Sequence, residues 1–235
     1  MNNSEEKLIF EDEMPNYQNR IGVYKTYQTR IGVYKTKTEW NFIRKYLPSN
    51  SIKILDIGGG DGRFAKRLAL LNHDVTNIDF SSDAIDISLS KGISKSICVE
   101  YKKFNETDFD LAIAIEILMN EDPSDLIFKA NSFLNVNGKL IFVAPNKNTW
   151  RHSLREFRRN KTIQKDLSYA SYLKLLNKNG FELIEAYGFM WMPLKVDSNS
   201  FLVPFFELIE KIFCLSKWKR QSPWIIYACK KNRNN

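Results

Sequence analysis

The chain has 235 residues, 43% of them hydrophobic, enough for one ordinary domain with a sizeable core and a few appendages. Thirty-five basic against 27 acidic residues give a net charge of +8, which favours anionic partners in a general way: nucleic acid, acidic lipid or a phosphorylated small molecule. Cys98, Cys214 and Cys229 are odd in number and far apart, which excludes a zinc or thiol-redox spacing and suits a reduced, cytoplasmic setting; no metal set is expected.

Residues 1–16 are polar, acidic at the start, and do not read as a signal peptide. Then YQNRIGVYKT (17–26) is followed at once by YQTRIGVYKT (27–36), identical at nine of ten positions. Two ten-residue copies are too few and too short for a solenoid. They leave two readings, a tandem duplication with no selected role or a longer aromatic arm over the functional site. Residues 1–36 are read as an N-terminal arm and 37–235 as the main domain. Lys35–Leu47 reads as a helix leading to the sheet; only one copy directly precedes it, so the first is the extra one.

From residue 52 strands and helices alternate. Strands are expected over Ile52–Ile57, Asp74–Asp79, Ser94–Val99, Phe109–Ile115 and Lys139–Ala144. Helices are expected over Asp61–Leu71, from Ser81-Ser-Asp, and from Asp122-Pro through Leu134, with Asn137-Gly138 ending that region. The apolar run at 109–115 suits a strand buried on both faces. The end of the chain reads as helix Ser168–Asn179, strand Phe181–Tyr187, a helical stretch Ser200–Lys217 and strand Trp224–Cys229. The alternation predicts an α/β fold: a doubly wound, mostly parallel seven-stranded sheet with an antiparallel last strand and helices on both faces. No run of about 18 uncharged apolar residues predicts a membrane span.

The motif richest in chemistry is Ile54-Leu-Asp-Ile-Gly-Gly-Gly-Asp-Gly-Arg-Phe-Ala65, a strand that stops in glycines and turns into a helix. Bare backbone there approaches a small molecule closely, and the helix start offers unpaired N–H groups. Two cofactor registers compete. Gly60-Asp-Gly62-Arg-Phe-Ala65 satisfies the relaxed dinucleotide pattern. Asp56-x-Gly58-x-Gly60-x-Gly62 places a carboxylate before the first glycine, where it repels a pyrophosphate but attracts an ammonium group. With Asp79 at the end of the next apolar run, the segment resembles motif I of the class I S-adenosylmethionine-dependent methyltransferases, and the likeness covers about residues 40–231.

The resemblance implies S-adenosylmethionine as methyl donor. It implies Gly58, Gly59 and Gly60 around its methionine part, with Asp56 holding the ammonium directly or through water. Asp79 would accept the ribose hydroxyls, Phe80 flank the adenine, and Glu100 contact the adenine edge. Glu116, in Ile115-Glu-Ile-Leu-Met-Asn120, matches the first acid of the family's Glu-Val-Leu-Glu-His segment, with Asn120 in place of the histidine. The candidate general bases are His152 and Glu116, while His73 lies on the wrong edge of the sheet. The expected acceptor is a small or lipid-linked metabolite methylated at oxygen, and the basic stretch 151–161 reads either as a solvated helix face or as a clamp for an anionic acceptor. The alternatives are an RNA- or protein-directed methyltransferase using the basic stretch 151–161, and a non-catalytic nucleotide-binding module of the same fold. Segments 146–167 and 190–222 are expected to shape the acceptor site. Within 201–220, the stripe Phe205, Leu208, Ile209, Ile212, Phe213 reads either as a helix packed on its own sheet or as one lying in a membrane interface.

Overall fold

A computed structural model describes residues 27–119, 121–147, 149–153, 166–195 and 198–232. The first decapeptide copy, Asn120 and most of the basic stretch 151–161 lie outside the described residues.

Helix α1 (Arg30–Arg44) begins five residues before the expected Lys35. Ile31, Gly32 and Val33 are weak helix formers, so local propensity hides this turn. What makes it helical is the cap and the burial: Thr29 Oγ1 accepts the Gly32 N–H at 3.1 Å, and Ile31, Tyr34, Trp40, Phe42 and Ile43 are buried. The second decapeptide copy is therefore mostly the first turns of α1.

The strands are β1 (Lys53–Ile57), β2 (Asp74–Asp79), β3 (Ser96–Cys98), β4 (Phe109–Ala114), β5 (Leu134–Pro145), β6 (Phe181–Phe189) and β7 (Trp224–Lys231). They form one sheet in the order β3-β2-β1-β4-β5-β7-β6, with β7 antiparallel to both neighbours and the other pairs parallel. This is the doubly wound seven-stranded sheet expected from the alternation. Helices α2 (Arg63–Leu70), α3 (Ser82–Ser90), α4 (Pro123–Phe133), α5 (Tyr169–Lys178) and α6 (Val203–Ile212) complete the layers. Strand alternation divides the apolar side chains between two cores. Leu55 and Ile57 join Phe109, Ala112, Phe142 and the α4–α5 side; Ile54 joins Leu111, Ile113, Ile141 and the α1–α2 side. Each fully buried Leu, Ile or Phe contributes about 1.5–3 kcal/mol.

Two expectations move. Asn137-Gly138 does not end a helical region: β5 starts directly at Leu134, and the register shifts between Phe109 and Leu111 of β4. The Asn-Gly signal marks a bulge in the strand, where a Cβ on Gly138 would lie 2.8 Å from the Asn135 carbonyl. The helical stretch Ser200–Lys217 shortens to α6, then breaks at Cys214 (φ +48°) before a single 3₁₀ turn, Leu215–Lys217.

The carboxyl ends of β1, β2, β4 and β5 feed the loops 58–62, 80–81, 115–121 and 146–153, the edge where doubly wound sheets bind ligands. A cavity of about 260 Å³ beside Ile52, Asp110 and Lys139 lies at the opposite edge.

Candidate active site

The loop after β1 folds back on β2. The Gly58 N–H donates to the Ile78 carbonyl at 2.8 Å, and the Gly60 N–H donates to Asp79 Oδ2 at 3.0 Å. Gly62 starts α2 from the left-handed region at φ +79°, where a side chain is strained. Gly59 is glycine because of contact: a Cβ there would collide with the Asp56 carboxyl and the Asn77 amide oxygen. Those two acceptors, Asp56 Oδ2 and Asn77 Oδ1, are buried beneath the loop and meet no hydrogen-bond donor among the described residues. Burial pushes the Asp56 carboxyl up to about 7, assisted by the Asp79 charge and opposed by Arg63 and the Ala65 backbone N–H.

Asp79 is half-buried. Its Oδ1 accepts the Ser81 N–H at 2.9 Å and its Oδ2 the Gly60 N–H, which leaves lone pairs on both oxygens for a ligand. Phe80 is 76% exposed beside it, an open apolar face for a planar ring. Glu100 lies on the surface past β3, paired with Lys103 at 3.0 Å, and the structure does not join it to Asp79.

Glu116 leaves β4 with φ +67°, and its carboxylate turns into a buried charge cluster. Lys35 Nζ lies 2.5 Å from Glu116 Oε1, and the Tyr27 hydroxyl donates to Oε2 at 2.9 Å. Arg63 stacks on the Tyr27 ring at 4.0 Å, donates to Thr36 Oγ1 at 2.5 Å and approaches Glu39 at 3.7 Å. For Glu116 burial alone would raise the pKa, but the Lys35 and Arg63 charges outweigh it and hold the group below the usual carboxylate range. Glu39, fully buried, goes the other way, to about 7, by burial and the Glu116 charge against Arg63 and Lys35. Burial keeps the Tyr27 phenol protonated, as its donor role requires.

His152 and Asp166 meet in the region after β5, Nε2 to Oδ2 at 3.4 Å, both 4% exposed. The Thr149 hydroxyl accepts the His152 N–H at 3.3 Å, fixing the backbone there. His73 is also buried, at the opposite sheet edge, where its Nδ1 accepts the Ile52 N–H. Sequence reasoning missed Tyr27, Lys35, Glu39, Arg63, Asn77 and Asp166. Lys35 and Glu39 stand four apart on the buried face of α1, and two charges on an apolar face were the available signal. Nothing local marks Asp166 as the partner of His152.

These residues fit a sulfonium nucleoside. The glycine loop leaves no room for a Cβ at Gly59, and Asp56 below it has an acceptor oxygen in need of a donor. Asp79 and Phe80 offer a hydroxyl acceptor and an apolar face at the end of β2. Among the described residues no three His, Cys, Asp or Glu side chains cluster as metal ligands.

Comparison with known proteins agrees. A methyltransferase-domain family model matches residues 33–186, and the chain belongs to that family; it is an S-adenosylmethionine-dependent methyltransferase. Among curated relatives, the ubiquinone biosynthesis O-methyltransferase of Bartonella tribocorum is 25% identical over 171 residues, 65% of this chain and 69% of that one. The enzyme of that name from Paraburkholderia phymatum is 27% identical over 105 residues, only 41% and 45% of the two chains. Among solved structures, magnesium protoporphyrin IX methyltransferase from Synechocystis, with bound S-adenosylhomocysteine, shares the fold at TM-score 0.62 and 16% identity, covering 98% of this chain and 96% of that one. A methyltransferase from Listeria monocytogenes does so at TM-score 0.62 and 19% identity, covering 85% and 99%.

Proposed function

We propose that the enzyme methylates an oxygen of a small or lipid-linked metabolite, with His152 as the base. The sulfonium methyl is already activated, so the protein's work is to position and desolvate the nucleophile. A hydroxyl nucleophile needs a proton acceptor as well. The observation that carries the reading is the His152–Asp166 pair: a carboxylate 3.4 Å from an imidazole orients the ring and stabilises the imidazolium formed by proton uptake. Glu116 is the weaker base of the two candidates, because Lys35, Arg63 and Tyr27 stabilise its ionised form. Its ionised carboxylate instead holds Lys35 and the Tyr27 hydroxyl at the mouth of the site. The loop 58–62 wraps the methionine part, Asp56 attracts its ammonium from beneath the loop, Asp79 takes the ribose hydroxyls, and Phe80 covers the adenine. Glu100 is the candidate on the adenine edge. The named activity of the curated relatives supports an oxygen acceptor.

The test is methyl transfer from labelled S-adenosylmethionine to fractionated metabolite extract, followed by identification of the product. A methyl ether or ester is expected. Label on nitrogen, or in the RNA or protein fraction, overturns the proposal. His152→Gln should lower kcat by about 10²–10⁴-fold without weakening cofactor binding. Asp166→Asn should shift the pH–rate profile, which a merely structural role would leave in place.

A further inference from the structure

Helix α6 is apolar on two sides: Val203 and Phe206 meet the core, and a second stripe faces outward. In a helix packed on a soluble domain the apolar stripe faces the core and the charges face water. Here the inward face carries a carboxylate: Glu210 Oε2 accepts the Tyr34 hydroxyl at 2.5 Å, and Oε1 accepts the Trp191 N–H at 2.8 Å. Val203 is buried, yet most of the apolar stripe points away from the protein. Phe201 is 76% exposed, Phe205 57%, Leu208 54%, Ile212 64%, Phe213 64% and Trp218 59%. At 150–250 Å² for a buried aromatic side chain, these six present roughly 600 Å² of apolar surface, at the upper end for a monomer's largest patch. The hydrophobic effect does not hold this face where it is within the isolated chain. No described residue of the chain covers it.

The charges around the patch say what fits it. Lys211 lies on the outer side, paired with Glu207 at 2.8 Å, and Lys217, Lys219 and Arg220 follow within one short segment around Trp218. A second copy placed face to face would set this cationic cluster against itself. An anionic bilayer meets both features at once: headgroups take the cations, Trp218 sits at the interface, and Phe and Leu side chains enter the acyl boundary. Among the described residues no helix is long and apolar enough to cross a membrane, so the contact is peripheral.

We propose that α6 and the following turn, residues 201–220, dock the enzyme on an anionic phospholipid surface. The geometry places that surface beside the active-site edge. Trp224, just past the patch, pairs with Pro145 at the carboxyl end of β5. Tyr34, which holds Glu210, is the neighbour of Lys35, which holds Glu116. An acceptor resting in the bilayer is thus presented to the same edge of the sheet as the methyl donor. The docking itself does not depend on which atom is methylated.

The experiment is sedimentation of the full chain with vesicles of phosphatidylcholine containing 30 mol% phosphatidylglycerol (about a third anionic lipid, in the range where surface potential acts), against pure phosphatidylcholine. Binding to the anionic vesicles, weakened by salt, is expected. Lys217→Glu with Lys219→Glu should weaken it at least about 25-fold, from about fivefold per removed cation. Phe205→Ser with Ile212→Ser should weaken it more than about tenfold while leaving the melting temperature and S-adenosylmethionine affinity unchanged. Absence of binding to anionic vesicles overturns the proposal. So does equal binding by the Phe205/Ile212 variant, or a solution dimer that this variant dissolves, which would make a second copy the occupant.

Discussion

Lys35→Met tests the charge cluster around Glu116 most directly. Methionine keeps the aliphatic stem and its packing near Trp224 but deletes the ammonium. The Lys35 side chain is 9% exposed and that of Glu116 17%, so the pair is poorly screened. At an effective dielectric of 20, unit charges about 4 Å apart attract by about 4 kcal/mol, and removing one partner of a buried pair costs about 3–5 kcal/mol. Arg63 and the Tyr27 hydroxyl remain to compensate Glu116, which puts the expected loss at about 3 kcal/mol. For a domain of this size that is a fall in Tm of about 6–12 °C, read by circular dichroism. The pH dependence carries the sign. The folded-state pKa of Glu116 is lowered, so its ionised form contributes stability above the unfolded pKa, and that contribution is lost as pH falls through the folded value. The gap between wild type and variant should be widest at pH 7–8 and close on strong acidification. Adding Glu116→Gln should restore stability to Lys35→Met by removing the stranded charge. A variant within about 1 kcal/mol of wild type, or a gap constant with pH, would refute the reasoning.

Asp56→Asn should remove a pH dependence of the opposite sign. Its folded pKa of about 7 lies above the unfolded value, so the group contributes stability at low pH that is lost as pH rises through 7. Urea titrations of the ligand-free protein at pH 5 and pH 8 measure the difference, and a loss of no more than a few kcal/mol is expected in wild type alone. Asp79→Ala should weaken S-adenosylmethionine binding by about 10–100-fold, the scale of hydrogen bonds to a charged group, and unchanged calorimetric affinity would end its ribose role. Gly59→Ala should cost about 1–3 kcal/mol of stability and most of the cofactor affinity, because its methyl meets buried Asp56 and Asn77. Gly60→Ala meets only Asp79 Oδ2 at 4.0 Å and should cost about 1–2 kcal/mol, for its φ of +57° alone; equal effects at the two sites would contradict the contact argument.

The parallel strands were legible because buried strands leave continuous apolar runs and glycine marks the turns: β2 (Asp74–Asp79) matches its sequence reading residue for residue. The loop Asp56–Gly62 was legible because its chemistry is local in sequence. The rest depends on long-range contacts. Lys35 and Glu116 are 81 positions apart, and Tyr34 and Glu210 are 176 apart. Helix α6 shows the limit most clearly. Its periodicity gave an apolar stripe correctly, but periodicity cannot say whether a stripe faces in or out. That choice was made by Glu210, which found Tyr34 and the Trp191 N–H on the inner side.

The duplicated decapeptide permits a test that point substitutions elsewhere do not. Deleting 17–26 or deleting 27–36 leaves the same chain except at one position, Thr29 or Asn19. Thr29 is the cap of α1, and asparagine caps at least as well as threonine, so both deletions should fold, bind cofactor and melt alike. The two copies differ instead in what it costs to use them. Seating Tyr17, Tyr24 and Lys25 in place of Tyr27, Tyr34 and Lys35 requires looping out ten residues ahead of Lys37. Closing that loop costs about 2 kcal/mol, and interrupting the helix at Lys37 forfeits several backbone hydrogen bonds at about 1 kcal/mol each. The sum exceeds the roughly 3 kcal/mol lost in Lys35→Met. Lys25 should therefore not rescue that variant, and Lys35→Met should cost the same in the full chain as in the chain lacking 17–26. A full chain less damaged by more than about 1 kcal/mol would show that the copies exchange, and that the duplication is a spare part for the active site rather than a passive insertion.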